Sequence, residues 1–276
     1  MTPPTTSPAS GPAPTWRSIV ITGASGGIGQ ALASELAAPG VRIGLIGRDA
    51  ARLEAAAGLC RAKGADVVLA AIDVRDAAAM AAFLAGFDAD GPVDLLIANA
   101  GVTTGLGPGR APEPAGQSRR LLEINYAGVL HTVEPLLGAM QARRAGHIVL
   151  VSSLAGIRAL PDMPSYSASK AAVRAYGIAL RGWLRPFGVT VSVVCPGFVT
   201  SPMSARHRGA RPFEIGADAA ATKIVRGLRA RRASIAFPWP LLLGMRLGAL
   251  LPPALSDWFM RPFAAEIEPD ADSREK

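Results

Sequence analysis

Short runs of β-branched and aliphatic residues recur along the chain, apolar at consecutive rather than alternate positions. They fall at 18–22 (SIVIT), 42–47 (RIGLIG), 66–72 (DVVLAAI), 94–99 (DLLIAN), 146–153 (GHIVLVSS), 190–195 (TVSVVC) and 234–237 (SIAF). Strands that are apolar on both faces belong to a parallel sheet covered on both sides. The stretches between them, at 28–38, 50–63, 77–85, 119–143, 166–187 and 217–229, predict helices. Strand–helix alternation of this length implies right-handed crossovers. The expected fold class is therefore α/β: a doubly wound, seven-stranded parallel sheet with helices on both faces, in a single domain. Ligands in such a sheet bind beyond the carboxyl ends of the strands.

Composition sharpens this picture. Half of the 276 residues are hydrophobic and 18% are charged, enough to bury a large core. The net charge of +8 raises the question of nucleic acid, but only four of the 29 basic residues are lysines and the arginines are scattered. Aromatic residues, at 5%, are too sparse for base-stacking platforms, so no nucleic-acid partner is expected. Cys60 and Cys195 lie outside any CxxC or Cys/His cluster. Neither a metal site nor a disulfide is expected, and a cytoplasmic location fits. Residues 1–16 open on a Pro/Thr/Ser/Ala-rich stretch that reads as a disordered tail rather than a signal peptide. Residues 17–237 read as the domain, and 238–276 as an apolar extension with a polar tail.

The first strand runs into TGASGGIG at 22–29, and a helix opens near Ile28. Gly23, Gly27 and Gly29 let the backbone turn tightly and approach a pyrophosphate at the helix N-terminus. That is the Rossmann position for a dinucleotide. The second strand ends in Gly47-Arg48-Asp49. An acidic side chain there would bond the adenosine ribose, whereas a basic one would favour the 2′-phosphate of NADP. Arg48 stands first and Asp49 reads as a helix cap, so NADP is favoured over NAD.

Tyr166 and Lys170, four apart in YSASK, share a helix face. A tyrosine ionises near pH 10, and a nearby ammonium lowers that value enough for acid/base work. Ser153 closes the fifth strand, where its hydroxyl could hold a substrate oxygen. Asn125 lies inside the long preceding helix, where an amide needs a reason.

With these motifs in order, the chain resembles the short-chain dehydrogenase/reductase family from about Arg17 to Phe237. It carries the TGxxxGxG turn, Asp73-Val74, Asn99-Ala100-Gly101, Asn125, Ser153, the YxxxK pair and Pro196-Gly197 with Thr200. The resemblance implies a short-chain NAD(P)-dependent dehydrogenase/reductase transferring a hydride between a nicotinamide cofactor and a carbonyl or alcohol. It implies Tyr166 as acid/base, Lys170 lowering its pKa and gripping the nicotinamide ribose, Ser153 orienting the carbonyl, and Asn125 holding a water. It implies cofactor contacts from Gly23, Ser25, Gly27, Ile28, Gly29, Arg48, Asp73, Val74, Asn99, Ala100, Gly101, Pro196, Gly197, Val199 and Thr200. Two departures stand out. Ala98 replaces the first Asn of Asn-Asn-Ala-Gly, and Gly26 stands where many NADP-using members carry a basic residue. A dehydratase or epimerase of the superfamily is the alternative enzyme, and a non-catalytic nucleotide-binding regulator the alternative of another class.

The loop at 101–118 and the segment at 201–213 flank the nicotinamide end and read as substrate contacts and a movable lid. The apolar stretch 237–260, bracketed by Trp239 and Trp258, follows Arg226, Arg229, Arg231 and Arg232. It is too short to span a bilayer. Peripheral membrane contact, a homo-oligomer interface, or a wall over an apolar substrate pocket would each account for it.

Overall fold

The computed structural model describes residues 16–252, 255 and 265–268. Its centre is a seven-stranded, all-parallel sheet whose strands run, from edge to edge, 66–71, 42–47, 18–22, 95–98, 147–151, 190–196 and 234–237. The strands are β1 (Ser18–Thr22), β2 (Arg42–Gly47), β3 (Asp66–Ala71), β4 (Leu95–Ala98), β5 (His147–Val151), β6 (Thr190–Pro196) and β8 (Ser234–Phe237). All seven expected strands are present. β1, β4 and β5 are buried at every position, as a sheet covered on both faces requires.

One face carries α1 (Gly27–Leu36), α2 (Ala50–Arg61) and α7 (Ala217–Arg229) over Ile19, Ile21, Leu45 and Ile97. The other carries α3 (Ala77–Ala89), α5 (Gly128–Arg143) and α6 (Pro164–Leu184) over Val20, Ile46, Leu96 and Leu150. The chain reverses its strand order between β1 and β4, so the crevice that opens there sits above both carboxyl ends.

The expected helix at 119–143 is α4 (Gln117–Leu122) joined to α5 by a π turn, Glu123–Ala127. The fifth strand ends at Val151 rather than 153, because Ser153 turns away to cap a 3-10 turn, Leu154–Gly156.

Both ends of the chain depart from the expectation. Trp16, placed with the tail, is buried in the core and packs at a tilt against His147, with ring centroids 5.8 Å apart. Residues 1–15 lie outside the described residues, as do Trp258 and the tail beyond Glu268. The extension forms α8 (Trp239–Gly248), and β7 (His207–Arg208) pairs antiparallel with β9 (Glu266–Ile267). Within the C-terminal segment read as extension and tail, Ala265 and Ile267 are buried.

Candidate active site

A cleft of about 680 Å³ opens along the carboxyl edge of the sheet. Its glycine turn is fixed by sterics. A Cβ on Gly23, which has φ of +66°, would approach Ala100 Cα to 2.8 Å, and one on Gly29 would collide with the Gly23 carbonyl oxygen. Only glycine lets β1, the turn and the start of α1 close this tightly. Asn99 braces the turn: its Nδ2 donates to the carbonyls of Thr22 at 3.0 Å and Gly23 at 3.2 Å. The Asn99 and Ala100 N–H groups donate to Thr22 Oγ1.

At the far end of the cleft lie Gly47, Arg48, Asp73 and Val74. Asp49 accepts from the Arg52 N–H at 3.0 Å as the N-cap of α2, so its carboxylate is engaged. Arg52, which the sequence reading missed, brings a guanidinium over Gly26: a Cβ there would lie 2.5 Å from Nη2. The glycine turn carries no basic residue of its own, but a guanidinium from the first turn of α2 lies beside it. Asp73 pairs with Arg75 at 2.7 Å. Burial works to raise its carboxyl pKa, but the Arg75 hydrogen bonds outweigh that and hold it below the usual range.

Asn125, Ser153, Tyr166 and Lys170, the residues expected to carry the chemistry, lie together at the centre. Asn125 is fully buried within the π turn, behind the cleft wall. Its Oδ1 accepts from Val102 N–H at 2.8 Å, while Nδ2 donates to Val102 O and to Ser169 Oγ, each at 2.9 Å. Such local widenings of a helix are common at functional sites, since they re-aim a side chain. Lys170 Nζ donates to Val151 O at 3.0 Å and lies 5.9 Å from the Tyr166 ring centroid. Burial depresses the Lys170 pKa to about 8. The phenol of Tyr166 opens onto the cleft, yet burial pushes its pKa above the ordinary value, and the hydrogen bond with Ser153 works the other way. Ser153, rather than the Lys170 to which the sequence pointed, thus lowers the Tyr166 pKa.

Pro196, Gly197 and Val199 line the cleft. Thr200 does not: it is exposed, and its N–H is spent on Ile215 O at 2.9 Å. Ser201 lines the cleft in its place.

Beyond Tyr166 the cleft is walled by Leu154, Leu160, Met163, Leu241, Met245 and Ile267. Ile267 was invisible in the sequence reading. It packs with Met163, Leu160 and Tyr166, and its N–H donates to Leu106 O at 2.9 Å. Asp162 anchors this crossing: it holds Arg110 at 2.7 Å and accepts from Ala265 N–H at 3.2 Å. The loop at 101–118, the segment at 201–213 and the C-terminal segment thus meet over this apolar end of the cleft.

The short chain dehydrogenase family profile matches residues 17–211. An uncharacterized oxidoreductase of Myxococcus xanthus is 36% identical over 243 residues, 88% of this chain and 95% of that protein. A short-chain dehydrogenase/reductase from Burkholderia phymatum, solved with NAD, superposes with a TM-score of 0.75 at 28% identity, covering 85% of this chain and 93% of that one. A variant of actinorhodin polyketide ketoreductase solved with NADPH gives a TM-score of 0.70 at 27% identity, covering 80% and 95%. The chain belongs to the short-chain dehydrogenase/reductase family. It is an NAD(P)-dependent oxidoreductase acting on a small molecule.

Proposed function

We propose that this enzyme interconverts an apolar ketone and its secondary alcohol, drawing on NADP in preference to NAD. The observation that carries the reading is the placement of Tyr166 and Ser153 at the junction of a glycine-lined cleft with an apolar chamber. The likeness to a ketoreductase supports it.

The glycine turn, with Ser25 and Ile28, would hold the cofactor pyrophosphate. Arg48 and Arg52 would hold the 2′-phosphate, since the competing carboxylate of Asp49 is occupied as a cap. Asp73 and Val74 would meet the adenine. Asn99 to Gly101, Pro196, Gly197 and Val199 would frame the nicotinamide, which when bound supplies or accepts the hydride. Tyr166 would give its phenolic proton to the carbonyl oxygen in reduction and take one from the hydroxyl in oxidation. Ser153 would hold that oxygen by hydrogen bonding. Lys170, charged, would favour the phenolate and grip the ribose. Asn125 uses both amide protons and one lone pair on Val102 and Ser169, which leaves one Oδ1 lone pair for a relay water.

A homo-oligomer is part of the proposal. α4 and α6 expose Leu122, Ile178 and Trp183, large apolar side chains with solvent to lose. Trp183→Glu should lower the mass read by light scattering.

NADPH oxidation against a panel of aliphatic and aromatic ketones tests the function. Turnover of at least one apolar ketone, with NADPH preferred over NADH, is the expected result. Cofactor binding without turnover of any ketone or alcohol would favour a regulator instead.

A further inference from the structure

α8 has two dissimilar faces. Leu241, Leu242 and Met245 pack inward around Leu154, Val193 and Cys195. On the outer side Trp239 is 72% exposed, Leu243 48%, Leu247 55% and Leu250, in the turn that follows, 83%. At about 100° per residue these four positions fall within a single stripe. Nothing among the described residues covers it.

The stripe borders a depression of about 650 Å³ lined by Lys223, Arg226, Arg232 and Arg246 together with Trp239. All four cations are exposed, and none forms an ion pair among the described residues. Among the described residues the one carboxylate lining the depression, Glu214, is already held by Arg211 at 3.2 Å. An exposed leucine–tryptophan ridge beside unpaired cations is the complement of an anionic interface with an apolar interior.

From this we propose that the outer face of α8 docks the enzyme on the surface of an anionic lipid bilayer. Trp239 and the leucines would enter the headgroup–acyl boundary while the cations meet lipid phosphates and carboxylates. Ten residues of helix reach about 15 Å, half of a hydrocarbon core, so the contact is with one leaflet. No helix among the described residues is long and apolar enough to cross a membrane. A second copy of the chain is a poorer occupant. Two-fold docking through this face would set the unpaired cations of one copy against those of the other. Leu241 and Met245 on the inner face line the catalytic cleft, so docking brings the apolar wall of the cleft within one helix diameter of lipid.

Cosedimentation of the full chain with vesicles tests this, and its readout does not depend on finding a ketone substrate. The protein is expected to pellet with phosphatidylcholine–phosphatidylserine vesicles and to stay in solution with phosphatidylcholine alone. High salt should release it, because screening removes the attraction of the cations. Exchanging both Leu243→Glu and Leu247→Glu should reduce the partition coefficient by more than about tenfold. Exchanging both Arg226→Ala and Arg232→Ala should weaken it while leaving the apolar stripe intact. Failure to pellet with phosphatidylserine vesicles would overturn the proposal. So would pelleting that the leucine exchanges leave unchanged, or light scattering showing that those exchanges dissociate a dimer.

Discussion

The guanidinium of Arg52 lies against Gly26, placed there from the first turn of α2, so that a side chain at 26 and Arg52 would compete for the same space. If the adenosine end of the cofactor lies here, as proposed, a basic group reaches it from α2 rather than from the glycine turn. Arg48→Ala and Arg52→Ala should each weaken NADPH far more than NADH. A charge-assisted contact is worth about 1.5–3 kcal/mol, or roughly ten- to a hundredfold in affinity. Fluorescence titration with both cofactors measures this. Equal losses for the two would make both arginines structural and remove the preference for NADP.

Tyr166→Phe deletes the transferable proton but keeps the ring that packs beside Ile267. Turnover should fall at least about a hundredfold, with cofactor affinity nearly unchanged. Ser153→Ala should act differently. The Ser153 hydrogen bond lowers the Tyr166 pKa, so its loss raises that pKa further. Alcohol oxidation needs the phenolate and rises with pH through this ionisation. The rising limb should therefore move to higher pH in the Ser153 variant. An unshifted limb with reduced amplitude would restrict Ser153 to holding the substrate.

Ile267 walls the apolar chamber, the proposed substrate site, from a segment about a hundred residues past Tyr166, and Gly105 leaves it room: a Cβ at 105 would collide with the Ile267 side chain. Ile267→Ala should enlarge the chamber and change the ratio of kcat/KM between a bulky and a small ketone by about tenfold or more. Gly105→Ala should push Ile267 out of place and slow both substrates. A selectivity ratio unmoved by either change would place the substrate elsewhere in the cleft.

What the sequence could and could not reveal follows from where each signal is written. The strands were legible because burial on both faces demands runs such as LLIA and HIVLV. Gly23 and Ser153 stood out in the sequence because they follow strand ends at the crevice, and Lys170 because it lies one helical turn beyond Tyr166. The π turn was not, since Asn125 lies among residues that would continue an ordinary helix. The pairing of His207 with Ile267 was hidden for another reason. A two-residue strand has no period to detect, and its partner is chosen by Asp162 and Leu106, which only the folded chain brings near. Arg52 was not legible because it lies inside the first turn of α2, where only the folded chain shows that its side chain turns back to the glycine loop.

The last expectation concerns acid. His147 is buried under Trp16, and its Nε2 shares a hydrogen bond with Ser192 at 2.9 Å. Burial, aided by the positive charge of Arg231, drives its pKa to about 4. In the unfolded chain the same ring titrates near its usual value of about 6.5. Between these values the unfolded state binds the extra proton, so stability falls as the pH is lowered through this window. The accumulated loss amounts to about 3 kcal/mol. His207, also held below its ordinary value mainly by burial, adds to the loss with the same sign. His147→Gln removes the larger contribution, so urea unfolding of that variant should show a markedly flatter stability curve from neutrality down to pH 4. If the wild type and the variant lose stability in parallel over that range, the acid sensitivity resides in other groups.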